Sequence, residues 1–585
     1  MFSISKKVFG LAGVATVFAG MAFGQGPATC ASPSAAPAII RAEGTAEQLP
    51  TLTFVCTAPT GGTSAGGSAS LQLFISPALP VTSKVTTSPA TEARLIMTTA
   101  TAATPLVVVT TQTVQGSVSG STVSFSGITL PIAAVTGGTF TFTIDGIRVN
   151  ATSLAVGTGI PPTVSITPYV TGSVGAITTT ALGSTAVAFA QNGLASTLIY
   201  PTFNTTGSTA VATAAGTTNN FPTGTASGTK NTANNFVICA TVKPSAATAL
   251  TASTTLVAHS SAAGLAFVAQ IGENFTSAFK TPAGESTPVT ALVNGTRLTL
   301  NFTNVPAGVT LYVPNAAIMS QASAGSTIQL APWAIGTAPA AATGGATSGS
   351  AFITNSAGGA ANSLVAVSGN TATFEVITAD ANSLDTFNVP VYIVTSANGT
   401  TASAAGIGVS VSFAPTGATT VPNFIVGGST NVVTASTFNS CTTSLLFPFV
   451  TNQAGFDTGI AISNTSTDPF ASTLKGGAVA QAGTCALNFY GTGAPSPANV
   501  TTSSVATGTV FTQVVSGVAA GFQGYVIAQC NFQYAHGFAF ITNAGASNNA
   551  VAQGYLAGVI LDTNQVSRAT TTGESFGYKP GELYY

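Results

Sequence analysis

A chain of 585 residues is too long for one hydrophobic core and divides into three or four domains at about 100 to 200 residues each. Only 5% of its residues are charged and the formal net charge is −1, so no basic stripe exists to displace counterions from phosphates, and nucleic-acid binding is excluded. A hydrophobic content of 45% with so little net charge is equally unlike a disordered chain.

The missing charge is replaced by hydroxyls: the chain holds 96 threonines. Thr, Val, Ile and Phe suit a pleated, half-buried surface, while the helix formers Lys and Glu are scarce. The expected fold class is therefore all-β, as tandem antiparallel β-sandwich domains (Ig-like or jelly-roll-like) joined by Thr/Gly/Ala-rich loops.

Residues 1–24 read as a signal peptide, with Lys6 and Lys7 as its charged start, Val8 to Phe23 as its apolar stretch, and Ala22-Phe23-Gly24 as the small-residue cleavage site before Gln25. No later stretch approaches the 18 or so apolar residues of a spanning helix. Without Lys6 and Lys7 the count is 11 basic against 14 acidic residues, a net of −3.

A first β-sandwich domain is expected over 25–175, from the alternation in Ser70 to Ile75, Ser121 to Ile128 and Thr139 to Val149; a period of two marks strands with one buried face. Gly and Ser clusters punctuate it as turns. Residues 176–235, poor in large apolar side chains, read as a linker or long loop. A second β domain, 236–440, in one piece or two, carries strands at Phe236 to Val242, Leu265 to Ile271, Arg297 to Phe302, Val309 to Val313, Thr371 to Thr378, Val389 to Thr395 and Ile407 to Phe413. The third domain, 441–562, is the most aromatic, with Phe447, Phe449, Phe489, Tyr490, Phe522, Tyr525, Phe532, Phe538 and Phe540 among its rings, and its core, expected around Phe532 and Phe538, should be the best formed. Residues 563–585 form a polar tail.

Export makes the six cysteines candidates for three disulfides. We pair Cys30 with Cys56 and Cys485 with Cys530 as local clasps, which leaves Cys239 with Cys441. Zinc is not expected, because no C-x2-C pair occurs and neither histidine lies close to two cysteines.

Several phrases resemble those of secreted bacterial β-rich surface proteins: Arg41-Ala42-Glu43-Gly44 with Glu47, Ile147-Arg148-Val149-Asn150, Glu273-Asn274-Phe275 with Ala278-Phe279-Lys280, and Leu446-Phe447-Pro448-Phe449-Val450 leading to Gly455-Phe456-Asp457-Thr458-Gly459. The resemblance implies an exported β-rich architecture and brings no activity, substrate or catalytic residue.

Catalytic patterns are weak. Gly62-Thr63-Ser64-Ala65-Gly66 has the form of a nucleophile elbow, but it lies in a Gly/Ser run with no helical pattern after it, so a turn is the expected reading. His259 and His536 are the only histidines; His536, on a strand-like aromatic segment, is expected as a hydrogen-bonded core or edge histidine. Glycoside hydrolysis needs two acids across a cleft, and Glu43 with Glu47 is the nearest pair, though ion pairing of Glu43 with Arg41 or Arg148 is the expectation. Asp457 is expected to cap a turn. No catalytic, cofactor or metal residue is assigned, and no cofactor is expected.

The sequence thus points to a secreted or cell-surface structural or adhesive protein acting through assembly or binding, with itself, an extracellular polysaccharide or another surface protein as partner, and not to an enzyme. The alternative is a carbohydrate-binding or carbohydrate-active protein, against which stands the single tryptophan, Trp333. An outer-membrane barrel lacks the repeated ten-residue strands it needs.

Overall fold

A computed structural model describes residues 28–58, 67–100, 108–130, 138–157, 159–172, 180–212, 218–237, 265–314, 318–323, 325–330, 352–353, 364–395, 403–417, 420–426, 428–439, 442–467, 480–543 and 550–560. The expected signal peptide, the Cys239–Cys441 pair, Ser64, His259, Trp333 and the polar tail lie outside these residues. The fold is all-β, with 58% strand and 2% helix, as the threonine-rich, lysine-poor composition requires.

Two sheets face each other around each of three main cores. In the first unit a five-stranded sheet runs in the order Thr29–Cys30, Leu52–Thr57, Thr139–Asp145, Arg94–Ala100, Val108–Gln115, and its partner in the order Ser117–Ser119, Thr122–Leu130, Gly67–Ser76, Thr163–Gly172, Thr185–Gln191, Ala38–Arg41. Strict alternation along Gly67–Ser76 and Thr139–Asp145 turns Leu71, Leu73, Ile75, Phe140, Phe142 and Ile144 into one cluster. The last pair, Ala38–Arg41 with Thr185–Gln191, is parallel, so Arg41 ends an edge strand and points into buried space.

In the second unit, buried apolar residues from Leu194 to Phe438 form one core cluster between a six-stranded and a seven-stranded sheet. The six-stranded sheet is covered on both faces: Leu265–Gly272 and Thr386–Val394 are buried almost throughout rather than at alternate positions, the pattern of strands with no solvent face. Its outer face carries Leu265, Val268, Tyr312 and Tyr392, with Tyr200 and Ala226 packed on them.

Ala226 belongs to a hairpin of Thr202–Ala212 with Thr218–Ser227, in the segment expected as a linker. Residues 180–237 are strands in large part: Thr185–Gln191 completes the first unit, while Leu198–Tyr200 and Asn234–Val237 join sheets of the second. Threonine's β preference and an apolar sheet face that needs covering explain why so polar a segment is structured.

Among its described residues the third unit has nine strands: β1 (Thr443–Thr451), β2 (Asp457–Asn464), β3 (Cys485–Thr492), β4 (Asn499–Thr501), β5 (Val510–Val514), β6 (Gln523–Cys530), β7 (Ala535–Thr542), β8 (Ala552–Leu556) and β9 (Gly558–Ile560). They form a five-stranded sheet, β4-β3-β6-β1-β9, and a four-stranded sheet, β5-β2-β7-β8. Between the sheets lie Phe447, Phe489, Phe522 and Phe532, with Phe489 and Phe522 edge to face at 5.1 Å.

Two of the expected disulfides form, Cys30–Cys56 and Cys485–Cys530. Each joins directly paired residues of neighbouring antiparallel strands.

Candidate binding surface

The charged residues that the sequence made conspicuous are gathered where the first two units meet. Arg41 is 1% exposed and Arg148 is 0% exposed. The Arg41 guanidinium donates to Glu47 Oε1 at 2.8 Å and to Glu285 Oε1 at 2.8 Å. It also donates to Ala278 O at 3.0 Å and Thr296 Oγ1 at 2.8 Å, and lies 4.8 Å from the centre of the Phe424 ring. Arg148 donates to Glu92 Oε1 at 2.9 Å and Ala46 O at 3.2 Å, and to the backbone oxygen of Glu285. Glu285 ends the single-turn helix Pro282–Glu285, whose N-cap is Thr281, so one short turn of the second unit takes two arginines of the first. Burial alone would raise the Glu285 carboxyl, but Arg41, Lys280 and Arg148 hold it below its ordinary value. Burial likewise disfavours the Arg41 charge, yet Glu285 and Glu47 raise its pKa further.

The expected pairing of Glu43 with Arg41 or Arg148 does not form as a hydrogen-bonded ion pair. Arg41 takes Glu47 and Glu285, Arg148 takes Glu92, and the Glu43 carboxylate accepts the Gly193 N–H instead. The reason is the turn after Arg41: a Cβ on Gly44 would lie 2.2 Å from Glu47 Oε1, so glycine there lets Glu47 fold back under the arginine. A buried network with its donors used in this way joins two bodies.

Elsewhere, His536 lies on a strand as expected, but neither in the core nor at an edge: it is exposed on β7, which pairs with β2 on one side and β8 on the other, because Ala535 and Gly537 take the core side of that strand. Asp457 opens β2 and accepts hydrogen bonds from the backbone N–H groups of Thr458 and Ser516, a loop-holding role. Among the described residues no group of three or more His, Cys, Asp or Glu is placed to hold a metal, and no helix is long and apolar enough to cross a membrane.

The aromatic core expected around Phe532 and Phe538 forms only in part: Phe532 is buried, but Phe538 faces solvent. Along β7, Ala535, Gly537 and Ala539 face the core, while His536, Phe538 and Phe540 face out. Phe538 is 41% exposed and Phe540 43%. The strand is inside out: it buries its smallest side chains and exposes its largest. Close packing enforces this, because a Cβ on Gly537 would sit 2.7 Å from both Ala557 Cβ and a ring carbon of Phe447. Each ring keeps roughly 80 Å² in water, so about 2 kcal/mol per ring of available burial is left unused.

Register fixes the neighbours of these rings. Ala461 and Leu556 flank Phe538, Gly459 and Gly554 flank Phe540, and Ser463 flanks His536. Beyond β2, the edge strand β5 sets Val514 beside Gly459, Thr512 beside Ala461 and Val510 beside Ser463. Val510, Val514 and Leu556 are 56%, 53% and 60% exposed. The face is thus two apolar ridges, β5 and β7, on either side of a groove floored by Gly459 and Ala461. Its titratable side chains stand at opposite ends, Asp457 beside Thr542 and His536 beside Ser463.

The opposite face of the unit is different in kind. There Tyr490 and Tyr525, directly paired across β3 and β6, stack at 5.0 Å, with the amides of Asn488 and Asn499 on the adjoining pair.

No family model matches the chain, and no curated protein matches it in sequence. Among solved structures it shows a faint likeness to the CupB6 tip adhesin from Pseudomonas aeruginosa, at 8% identity and a TM-score of 0.16 over 71% of this chain and 99% of that one. A putative membrane anchored protein from Corynebacterium diphtheriae gives 8% identity and a TM-score of 0.16 over 88% of this chain and 85% of that one.

Proposed function

We propose that the protein is exported and works at the cell exterior by binding or assembly rather than by catalysis, with the four-stranded face of its third unit as the contact surface. The observation that carries this reading is the inverted strand β7, which presents Phe538 and Phe540 to solvent while alanine and glycine fill the core. A strand selected for the stability of its own domain alone would turn its rings inward. The disulfides Cys30–Cys56 and Cys485–Cys530 suit an oxidising compartment.

The test is a comparison on cells. Phe538→Ser with Phe540→Ser should abolish attachment or assembly while display and folding are retained, and Ser64→Ala with His259→Ala should leave the role intact. Loss of function in the second pair, with folding and display unchanged, would replace this reading with a hydrolase. The tyrosine pair supports a second reading, a face for a neutral polysaccharide, since stacked rings beside amides match sugar rings and hydroxyls. Tyr490→Ala with Tyr525→Ala abolishing retention on a polysaccharide column would favour it.

A further inference from the structure

We infer that Cys30–Cys56 is a redox latch on the first unit: a small external dithiol opens it in the folded protein while Cys485–Cys530 stays closed, and opening uncovers the edge of the strand Leu52–Thr57. Both bonds join directly paired residues of antiparallel strands, so the difference lies in what surrounds the sulfurs. A thiolate cleaves a disulfide by attacking one sulfur from the side away from the other, and access therefore decides the rate. Cys30 lies half-buried on the edge strand Thr29–Cys30, and no strand of the described residues runs beyond it. Cys56 is fully buried and has Phe140 of the next strand at its side, so Cys30 is the sulfur attacked. In the third unit both cysteines are fully buried. Thr443 of β1 flanks Cys530, and Thr502 bonds both backbone groups of Cys485, donating to its carbonyl at 2.9 Å and accepting its N–H at 2.8 Å on Oγ1; neither sulfur faces an open edge.

The stretch that the latch fastens is lightly held otherwise. Pairing at the clasp is two residues long, Thr29 with Thr57 and Cys30 with Cys56. Beyond it the stretch meets Leu52–Thr57 through the Ala31 N–H, which donates to Val55 O at 2.8 Å, and through the mutual backbone bonds of Ser34 and Thr53 at 2.7 and 2.9 Å. From Ala28 to Pro37 only Ala28 and Pro33 are buried, both small, so little apolar area opposes a local release. Further along, Ala38–Arg41 is tied by its own pairing with Thr185–Gln191, which confines the release to the stretch before it. The exchange balances as a two-electron step: one thiolate of the dithiol bonds to Cys30 Sγ, and Cys56 Sγ departs and takes up a proton. The second thiol then displaces Cys30, which also gains a proton, and the reagent is left oxidised to its own disulfide. Leu52–Thr57 then carries unpaired backbone groups along one side, the condition in which a sheet accepts a further strand.

Limited reduction of the folded, full-length exported chain with dithiothreitol tests this. Samples quenched along a time course are alkylated and digested, and mass spectrometry follows Cys30, Cys56, Cys485 and Cys530 separately. Cys30 and Cys56 should become labelled at least about tenfold faster than Cys485 and Cys530, with circular dichroism and the melting of the third unit unchanged. Hydrogen exchange in the partly reduced protein should rise across residues 52–57 and not along β3 or β6. Three results would each overturn the latch: equal rates for the two disulfides, opening of Cys30–Cys56 only as fast as the whole unit unfolds, or exchange at 52–57 that is as slow after reduction as before.

Discussion

Replacing Arg41 by Met removes a charge that two buried carboxylates share. The methionine fills much of the volume of the arginine stem, so the cost is electrostatic more than steric. Glu47 Oε1 and Glu285 Oε1 each lose a partner at 2.7 to 2.8 Å; Lys280 Nζ, 3.8 Å from Glu47 Oε2, compensates one of them in part. Breaking a buried ion pair by removing one member costs about 3 to 5 kcal/mol; because Lys280 stays near Glu47, and the Thr296 hydroxyl with the charges of Lys280 and Arg148 stays with Glu285, we expect the lower end, about 3 kcal/mol, a large share of the 5 to 15 kcal/mol of a typical domain. Urea denaturation followed by circular dichroism reads the loss as a fall in the midpoint. The triple variant Arg41→Met, Glu47→Gln, Glu285→Gln should recover more than half of the loss, because it removes the uncompensated charges. A loss below about 1 kcal/mol in the single variant, far short of the cost of a broken buried pair, or a triple variant no more stable than the single, would refute the claim that this network locks the two units.

Glu273 accepts hydrogen bonds from the N–H groups of Phe279 and Asp385, at 2.6 and 2.9 Å, and burial pushes its carboxyl up to about 7. Its folded pKa lies above the unfolded value of 4.5, so its contribution to stability is full below pH 4.5 and is lost as pH rises through 7. Glu273→Gln should flatten that part of the urea midpoint's pH dependence, and parallel profiles for the two proteins would contradict it. Replacing Cys485 and Cys530 by Ala should lower the third unit's stability by about 2 to 5 kcal/mol, measured by thermal melting, and thiol titration of the unfolded, unreduced wild type should find neither free. Phe532→Ala should cost about 3 to 5 kcal/mol because its ring is fully buried, whereas Phe538→Ser, at a ring 41% exposed, should cost less, about 1 to 2 kcal/mol; equal costs in calorimetry would mean that β7 is not inverted.

Strand content and most strand positions were legible because alternation is written residue by residue, as in Thr139–Asp145 and Thr371–Thr378. The hairpin Thr202–Ala212 with Thr218–Ser227 was not, since its role is to cover Leu265, Val268, Tyr312 and Tyr392, which lie far off in the chain. The participants in the charge network stood out in the phrases around Arg41, Arg148 and Ala278 to Lys280, but Arg41 and Glu285 are 244 residues apart, and no local pattern joins them. For β7 the alternation of Ala535, Gly537 and Ala539 with His536, Phe538 and Phe540 was visible, yet a period of two gives two faces without saying which is inward. The crowding of Ala557 and Phe447 against Gly537 decides it, and that is a contact between sheets.

The joint between the first and second units has a further property. Dissolved ions weaken charge pairs they can surround, as they can the half-open pair Arg94–Asp145, whose side chains are 23% and 13% exposed. Arg41, Glu47, Glu92 and Arg148 are each at most 1% exposed, so no counterion atmosphere reaches them. Their attraction therefore changes far less with ionic strength than that of an exposed pair, and the joint holds as the salt around it rises or falls.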